Sequence, residues 1–255
     1  MSKFLVGHAS IDIKHQTMTT IKNSQLITTK LDDSVLIYAE QVISSNDQGN
    51  CILFIKSGGF ARLYQAQLYE QHLTLQQFPT ASGNSLPTFE TCTIAQSGTL
   101  VGVLGKYKNQ ILLYIFDFNK CTAARIQSNN LNSQSKIFSA NGRLMIFNDK
   151  TTLYVNIDNL SVDQLYNMSP IIPHGNYISI YHKKLPIFVS SDGIWSYDNG
   201  LFLKISPGIL ECDIIGNYFV NLTTSFIKEI PQLIVGLELE KQNYVQCKQL
   251  ISFDD

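Results

Sequence analysis

The sequence of 255 residues is poor in charge and has no long apolar run. Charged residues make up 15 % of the chain, against about 25 % in typical soluble domains. The 19 basic and 20 acidic residues give a formal net charge of −1, so there is no basic excess of the kind that binds nucleic acid. The longest apolar run, 111–116, is far shorter than the roughly 20 residues that a membrane-spanning helix needs. We therefore expect neither a nucleic-acid nor a membrane partner.

The first residues contain neither the apolar core nor the small-residue cleavage site of a secretion signal. The five cysteines are odd in number and lack CxxC spacing, so neither a disulfide framework nor a zinc site is expected. Free, buried thiols in a reducing compartment are the expectation instead. The predicted location is the cytoplasm.

The sequence motifs of common enzyme classes are also missing. None of GxSxG, GxGxxG or GxxxxGK[ST] occurs. The glycine-rich stretch 57–60 does not lead into a predicted helix, so a phosphate cradle is not expected. The histidines show no metal-ligand spacing, and acid pairs such as Glu238 and Glu240 are typical of a solvated strand edge. We predict a protein without enzymatic activity, metal or cofactor.

What the chain does contain is a series of short apolar, β-branched runs separated by turn residues. The clearest case is Pro186–Ser206, in which Asp192-Gly193 and Asn199-Gly200 separate three alternating segments. Asp-Gly and Asn-Gly supply the positive φ that tight hairpin turns need. Such segments recur about every 8–12 residues, and no segment keeps a helical period, although 61–72 is compatible with a short helix. The sequence predicts an all-β protein with one domain over 1–255.

Three segments share an internal pattern: an apolar residue, three small or polar residues, glycine, any residue, and a large apolar residue. They are Ile94–Leu100, Phe138–Leu144 and Val189–Trp195. The predicted sets of four strands begin near residues 35, 89, 137, 177 and 213. Periods of about 40–50 residues with four strands per unit are typical of β-propellers. In the third segment the glycine falls one strand later within its set, so either the sets are out of phase or the repeat is degenerate.

The stretch Ser190–Gly200 resembles a blade of a β-propeller repeat protein. In such blades a turn glycine precedes an aromatic strand, and a second turn precedes the outermost strand. The chain lacks the Gly-His and Trp-Asp pairs of tryptophan-aspartate repeats, the recurring Gly-Gly of kelch repeats and the full spacing of an Asp-box. The resemblance thus implies an architecture without a named family: five or six four-stranded blades, with six and an incomplete first blade preferred. A two-sheet β-structure is the alternative.

Propellers present many loops on a rigid, closed support, which suits recognition. Aromatic side chains beside basic ones, as they occur near several predicted turns, are the residue types that anchor protein interfaces. The predicted function is a non-enzymatic propeller that binds another protein through its loops. The predicted partner-binding residues are Phe60, Arg62, Tyr107, Tyr177, Tyr181 and His182.

Two other functions stay open at this point. A compact, low-charge domain without motifs is, by analogy, compatible with a bacterial immunity protein that neutralises a cognate toxin. A carbohydrate-binding, lectin-like propeller could use Trp195 or loop tyrosines to stack on sugar rings. Trp195, the one tryptophan, is nevertheless predicted to pack between sheets.

Overall fold

The computed structural model describes the chain between residues 3 and 229, except for short segments. The segments left out are 7–8, 24, 32–35, 48–49, 70–71, 79–85, 141, 149–150, 168–176, 183–184, 191–192, 199–200, 208–211, 216–217 and 222–225. Beyond residue 164, side chains are described at 195–197, 202 and 204 only, and the backbone alone is described elsewhere.

Within these residues, antiparallel strands form six sheets, and each sheet is a meander in which every strand pairs with the next along the chain. Sheet 1 consists of β1 Lys3–Val6, β2 Ala9–Asp12, β3 Thr17–Lys22 and β4 Gln25–Lys30. A 3-10 turn at Leu36–Tyr38 leads into sheet 2, which consists of β5 Gln41–Asp47, β6 Asn50–Ser57, β7 Phe60–Tyr69 and β8 His72–Gln77. Sheet 3 consists of β9 Thr91–Ser97, β10 Leu100–Tyr107, β11 Gln110–Asp117 and β12 Thr122–Ile126.

The second half of the chain continues the same pattern. Sheet 4 consists of β13 Lys136–Ala140, β14 Arg143–Phe147, β15 Thr151–Asn156 and β16 Ser161–Asn167. Sheet 5 consists of β17 Tyr177–His182, β18 Leu185–Ser190, β19 Gly193–Asp198 and β20 Leu201–Pro207. Sheet 6 has three strands in the described residues, β21 Cys212–Ile215, β22 Tyr218–Asn221 and β23 Phe226–Glu229.

The six sheets follow one another around an axis as the blades of a β-propeller. First strands of successive sheets lie side by side: β1 contacts β5, β5 contacts β9, β9 contacts β13, and β13 contacts β17. The first strand of sheet 6, β21, packs against β2 and β3 of sheet 1. The predicted all-β propeller is therefore confirmed, and the segment 61–72 contains the strand β7 rather than a helix. The expectation of an incomplete first blade is wrong, because sheet 1 has all four strands.

Each sheet has two ends, which we name by their connections. At the upper end the chain enters the first strand, and the turn between the second and third strands lies there too. The turn between the first and second strands lies at the lower end, and so does the turn between the third and fourth strands of the four-stranded sheets. The glycines used to align the sequence segments sit at different ends: Gly98 and Gly142 occupy lower turns, whereas Gly193 begins β19 at an upper turn. The segment around Gly193 is thus one strand out of phase with the other two.

Apolar side chains fill the spaces between successive sheets. One buried cluster joins sheets 1 and 2, a second joins sheets 2 and 3, a third joins sheets 3 and 4, and a fourth joins sheets 4 and 5. Trp195 belongs to the fourth cluster with only 2 % of its surface exposed. Its predicted role in packing between sheets is confirmed.

The second strands of sheets 2, 3 and 4 are buried on both faces. In β6, Ile52 and Phe54 face the cluster with sheet 3, while Leu53 and Ile55 face the cluster with sheet 1. The same division holds in β10 and in β14, whose buried residues alternate between two neighbouring clusters. A strand covered on both faces needs apolar residues at every position, which explains the unbroken runs 51–55 and 144–147 in the sequence.

Two glycines leave room for close contacts on the two faces of β10. A methyl group on Gly105 would lie 2.5 Å from the Phe89 ring and 2.8 Å from Cβ of Cys92. A methyl group on Gly102, on the opposite face, would meet the terminal Cδ1 atom of Ile137 in sheet 4. Gly105 therefore meets a rigid ring and a backbone-attached carbon, whereas Gly102 meets the end of a flexible side chain.

The variant Gly105→Ala is expected to lower the free energy of unfolding by about 1–3 kcal/mol, because the added methyl overpacks a filled core. Gly102→Ala should cost less, since Cδ1 of Ile137 can turn away. Urea unfolding followed by circular dichroism measures both. A Gly105→Ala variant as stable as the wild type, or a larger loss for Gly102→Ala, would contradict this account of the packing.

The upper turns of sheets 2 and 3 are equivalent two-residue turns. Gly58 and Gly59 have φ of 55° and 82°, and Lys108 and Asn109 have φ of 46° and 63°. Two consecutive positive φ values are the signature of the type I′ turn, whose twist matches that of the strands it joins. Asparagine tolerates this conformation better than other residues with a Cβ, and Asn109 occupies the position equivalent to Gly59.

At position 59 we accordingly expect Asn to be accepted and Val to be rejected. Gly59→Asn should change the free energy of unfolding by no more than about 0.5 kcal/mol, whereas Gly59→Val should lower it by roughly 1–3 kcal/mol. Both side chains would extend into open space, so the difference reports backbone conformation alone. Equal stability of the two variants in thermal unfolding would refute the assignment of a type I′ turn.

Candidate functional site

The upper ends of sheets 2 and 3 share a polar clasp that joins the incoming chain to the second strand. In sheet 2 the Glu40 amide donates to the Lys56 carbonyl at 2.8 Å, and Lys56 Nζ lies 3.6 Å from Glu40 Oε2. In sheet 3 the Glu90 amide donates to the Lys106 carbonyl at 2.9 Å, and Lys106 Nζ lies 3.0 Å from Glu90 Oε2. Exposed ion pairs of this kind contribute about 0–1 kcal/mol. The backbone hydrogen bond and the ion pair of each clasp together join the incoming chain to the second strand.

Two large aromatic side chains stand out of the upper end of sheet 2. Tyr38, in the 3-10 turn, is 76 % exposed, and Phe60, the first residue of β7, is 59 % exposed. The Ser57 hydroxyl donates to the Tyr38 carbonyl at 2.8 Å, and Ser57 pairs with Phe60 across the type I′ turn. The Gly58 amide also donates to Glu40 Oε1 at 3.2 Å. We call Tyr38 and Phe60 the aromatic patch.

The clasp and the turn fix the backbone beneath the aromatic patch. Tyr38 lies on a connection that is bonded to Ser57 through its own carbonyl and to Gly58 and Lys56 through Glu40. Phe60 directly follows the type I′ turn and pairs with Ser57. An exposed aromatic side chain on a fixed backbone loses little conformational freedom when a partner covers it. Rigid, exposed aromatic residues of this kind are what protein interfaces use as anchors.

Two of the predicted partner-binding residues lie at this patch. Phe60 belongs to it, and Arg62 lies two residues further along β7, on the same side of the strand. Arg62 is exposed, and its Nη1 donates to Gln77 Oε1 of the neighbouring strand at 3.3 Å. Tyr38 was not predicted, because it lies in the apolar run at the start of the set of strands predicted from residue 35. A sequence signal was available, since Glu40 precedes Lys56 by the same number of residues as Glu90 precedes Lys106. This equal spacing marks the segments that lead into sheets 2 and 3 as equivalent connections.

The other predicted residues do not join this patch. Tyr107 ends β10 at the upper end of sheet 3, but it is half-buried and packs against the cluster between sheets 2 and 3. The Lys108 ammonium group lies 5.3 Å from the centre of its ring. Tyr177 begins β17 at the upper end of sheet 5, whereas Tyr181 and His182 end it at the lower end. The side chains of these three residues lie outside the described part of the structure. The six predicted residues therefore do not form one surface.

The described residues hold no group of three or more His, Cys, Asp or Glu side chains arranged to bind a metal ion. His15 and Asp12 form a surface pair, with Nδ1 and Oδ2 2.9 Å apart. In the same part of the chain, no helix is long and apolar enough to cross a membrane.

The three described cysteines differ in their surroundings. Cys51 is buried, Cys92 is partly buried and Cys121 is exposed. Burial raises the pKa of the Cys92 thiol to about 12, and the weaker attraction of Lys56 opposes that rise. The expectation that all the thiols are buried is therefore wrong for Cys121, which lies in the lower turn of sheet 3.

Alkylation of the folded protein should follow this difference. Because the thiolate is the reactive form, iodoacetamide at pH 8 should modify Cys121 at least about tenfold faster than Cys92. Peptide mapping by mass spectrometry measures both rates, and the two rates should converge in urea. Equal rates in the folded protein would show that Cys92 is not shielded.

No family model and no curated protein matches the chain. Several solved structures are similar to it. The crystal structure of a Nidogen/Laminin complex matches with a TM-score of 0.51 and 9 % identity, over 88 % of this chain and 86 % of that chain. The crystal structure of TolB from Acinetobacter baumannii has a TM-score of 0.46 and 12 % identity, over 83 % of this chain and 58 % of that chain.

The structure of the Dos1 propeller is similar as well, with a TM-score of 0.42 and 12 % identity, over 83 % of this chain and 59 % of that chain. The chain thus spans less than two thirds of the length of the TolB and Dos1 chains. At such low identity the likeness concerns the fold alone.

Proposed function

We propose that this protein is a binding propeller that recognises another protein with the upper end of sheet 2. The observation that carries the proposal is the aromatic patch: among the side chains that the structure describes at the upper ends of the sheets, Tyr38 and Phe60 are the two most exposed large aromatic ones. Aromatic residues are enriched among the few side chains that dominate binding energy at protein interfaces.

The surroundings of the aromatic patch favour a protein partner. Arg62 lies beside Phe60, while Glu40 and Lys56 at the clasp offer charges of both signs. A central aromatic pair with polar and charged residues at its edge is the usual anatomy of a protein interface. The nearly neutral charge of the whole chain gives no general attraction for polyanions, so selectivity would come from this local arrangement.

We also propose that the protein acts by binding alone, without catalysis, and that it does so in the cytoplasm. A cognate toxin is one possible partner, and the identity of the bound protein decides whether the protein has an immunity role. A lectin-like role based on Trp195 is disfavoured, because this side chain is 2 % exposed and packs between sheets 4 and 5.

The strand β7 supplies a matched control for the patch. Phe60 and Tyr69 are its first and last residues, so they lie at opposite ends of the sheet, about 30 Å apart in an extended strand. Tyr69 is 61 % exposed, nearly the same as Phe60. Truncation of Tyr69 therefore removes a comparable aromatic surface from the other end.

The test compares capture from native lysate on three immobilised forms: wild type, Tyr38→Ala/Phe60→Ala and Tyr69→Ala. Quantitative mass spectrometry should find a protein that the double variant captures at least about tenfold less than the other two forms, since truncated anchors cost about 2 kcal/mol or more. The affinity of that protein is then measured after purification, and a nuclease or other toxin at this step supports the immunity role. If no captured protein depends on the patch, or if Tyr69→Ala has the same effect, the proposed surface is wrong.

A further inference from the structure

Charge is distributed unevenly between the two ends of sheets 2, 3 and 4 in the described part of the chain. The upper ends carry five basic and two acidic residues, namely Lys56, Arg62, Lys106, Lys108, Lys136, Glu40 and Glu90. The lower ends carry two basic and four acidic residues, namely Lys120, Arg143, Asp47, Asp117, Asp158 and Asp163. Arg125 pairs with Tyr114 at mid-strand and belongs to neither end. The upper ends are therefore positive and the lower ends negative, although the net charge of the whole chain is only −1.

The two acidic residues of the upper ends are already paired within the clasps. Glu40 Oε2 lies 3.6 Å from Lys56 Nζ, and Glu90 Oε2 lies 3.0 Å from Lys106 Nζ. Each clasp is thus close to neutral, and the positive excess is carried by the basic residues outside the clasps.

Two of these residues, Arg62 and Lys108, are exposed and have neutral partners. Arg62 Nη1 donates to the side-chain oxygen of Gln77 at 3.3 Å, and Lys108 Nζ lies 5.3 Å from the centre of the Tyr107 ring. Among the residues that the structure describes, neither cation has a carboxylate within 4.0 Å. Their charges are therefore available to a partner.

Both cations lie at the same end of the fold as the aromatic patch. Arg62 follows Phe60 on the same side of β7, about 7 Å further along the strand. Lys108 belongs to the upper turn of sheet 3, which is equivalent to the turn that precedes Phe60. Ala61 and Tyr107, the neighbours of Phe60 and Lys108 in sequence, pack in the same apolar cluster between sheets 2 and 3. The packing thus gives Phe60 one cation on its own strand and another on the neighbouring sheet.

Cations beside exposed aromatic side chains match an acidic protein surface. Carboxylate groups form strong, charge-assisted hydrogen bonds with guanidinium and ammonium groups, and complementary charge speeds association. A nucleic acid also combines negative charge with stacking bases, but its phosphates are evenly and closely spaced. Glu40, which is 53 % exposed and bonded to the turn before Phe60, would lie against such a backbone. A protein can place its carboxylates at the two cations and away from Glu40.

We propose that the protein partner presents an acidic surface to the upper ends of sheets 2 and 3, with carboxylate groups at Arg62 and Lys108 and an apolar residue on the aromatic patch. This inference rests on the proposed function and specifies the chemistry of the partner. The lower ends, with their negative excess, repel the same surface. Charge therefore also selects the end of the propeller that the partner meets.

The first test uses the intact protein and two fluorescein-labelled peptides of about 12 residues, long enough when extended to cross two sheets. One peptide repeats Glu-Glu-Leu, and the other has Gln in place of each Glu. Fluorescence polarisation at about 50 mM NaCl should show the Glu peptide binding at least about fivefold more tightly than the Gln peptide. The difference should shrink at about 500 mM NaCl, because salt screens exposed charges.

Two variants with the same net charge locate the binding surface. Arg62→Gln/Lys108→Asn removes the two upper cations, and Asn is chosen because it tolerates the φ of 46° at position 108. Lys120→Gln/Arg143→Gln removes two cations from the lower ends. The upper variant should bind the Glu peptide about three- to tenfold more weakly than the wild type, and the lower variant should bind it as the wild type does. Thermal unfolding checks that both variants are folded.

Equal binding of the two peptides to the wild type, including no detectable binding of either, would overturn the proposal. An equal loss in the upper and lower variants would contradict it as well. Tighter binding of an oligonucleotide of about 12 thymidines than of the Glu peptide would assign the surface to nucleic acid instead.

A protein captured through Tyr38 and Phe60 provides a separate check. Its association rate should fall as salt is added, and Arg62→Gln/Lys108→Asn should slow its association about threefold or more at about 50 mM NaCl. A captured protein that associates equally fast with both forms refutes the acidic surface and leaves the proposed function intact. If no protein depends on the aromatic patch, the proposed function is wrong, whatever the peptides show.

Discussion

The burial of the second strand of sheets 2, 3 and 4 on both faces is the constraint on which the rest of this structure depends. Each of these strands places alternate residues into two different apolar clusters. Sheets 2, 3 and 4 are therefore packed against their neighbours on both sides, and both faces of β6, β10 and β14 are covered. The glycine at 102 lets sheet 4 approach β10 closely, and the glycine at 105 leaves room for the Phe89 ring.

This packing also explains why the ends of the sheets carry the candidate sites. Side chains of β6, β10 and β14 are largely committed to the core, so exposed residues lie in the turns, in the connections and in outer strands such as β7 and β8. At the upper end the clasp of Glu40 with Lys56 fixes the backbone below Tyr38 and Phe60.

Local signals were sufficient to predict the fold class, because hairpins depend on neighbouring residues. Alternation and Gly or Asn turns located most of the strands, and the unit length indicated a propeller. The position of each strand within its blade was harder to predict, since Gly193 and Gly98 lie in turns at opposite ends of their sheets. The candidate site depended on a contact between distant segments, in which the Ser57 hydroxyl bonds to the Tyr38 carbonyl. Such a pair has no signature within a single stretch of sequence.

The meander topology has a consequence for how the chain folds. Every strand pairs with its neighbour in sequence, so each sheet can form from short loops whose closure costs little entropy. The packing of β21 against β2 and β3 is different, because it brings together segments separated by nearly the whole described chain. Closing the ring between sheets 6 and 1 should therefore be the late, slow event, and the two terminal sheets are the ones whose stability depends on its completion.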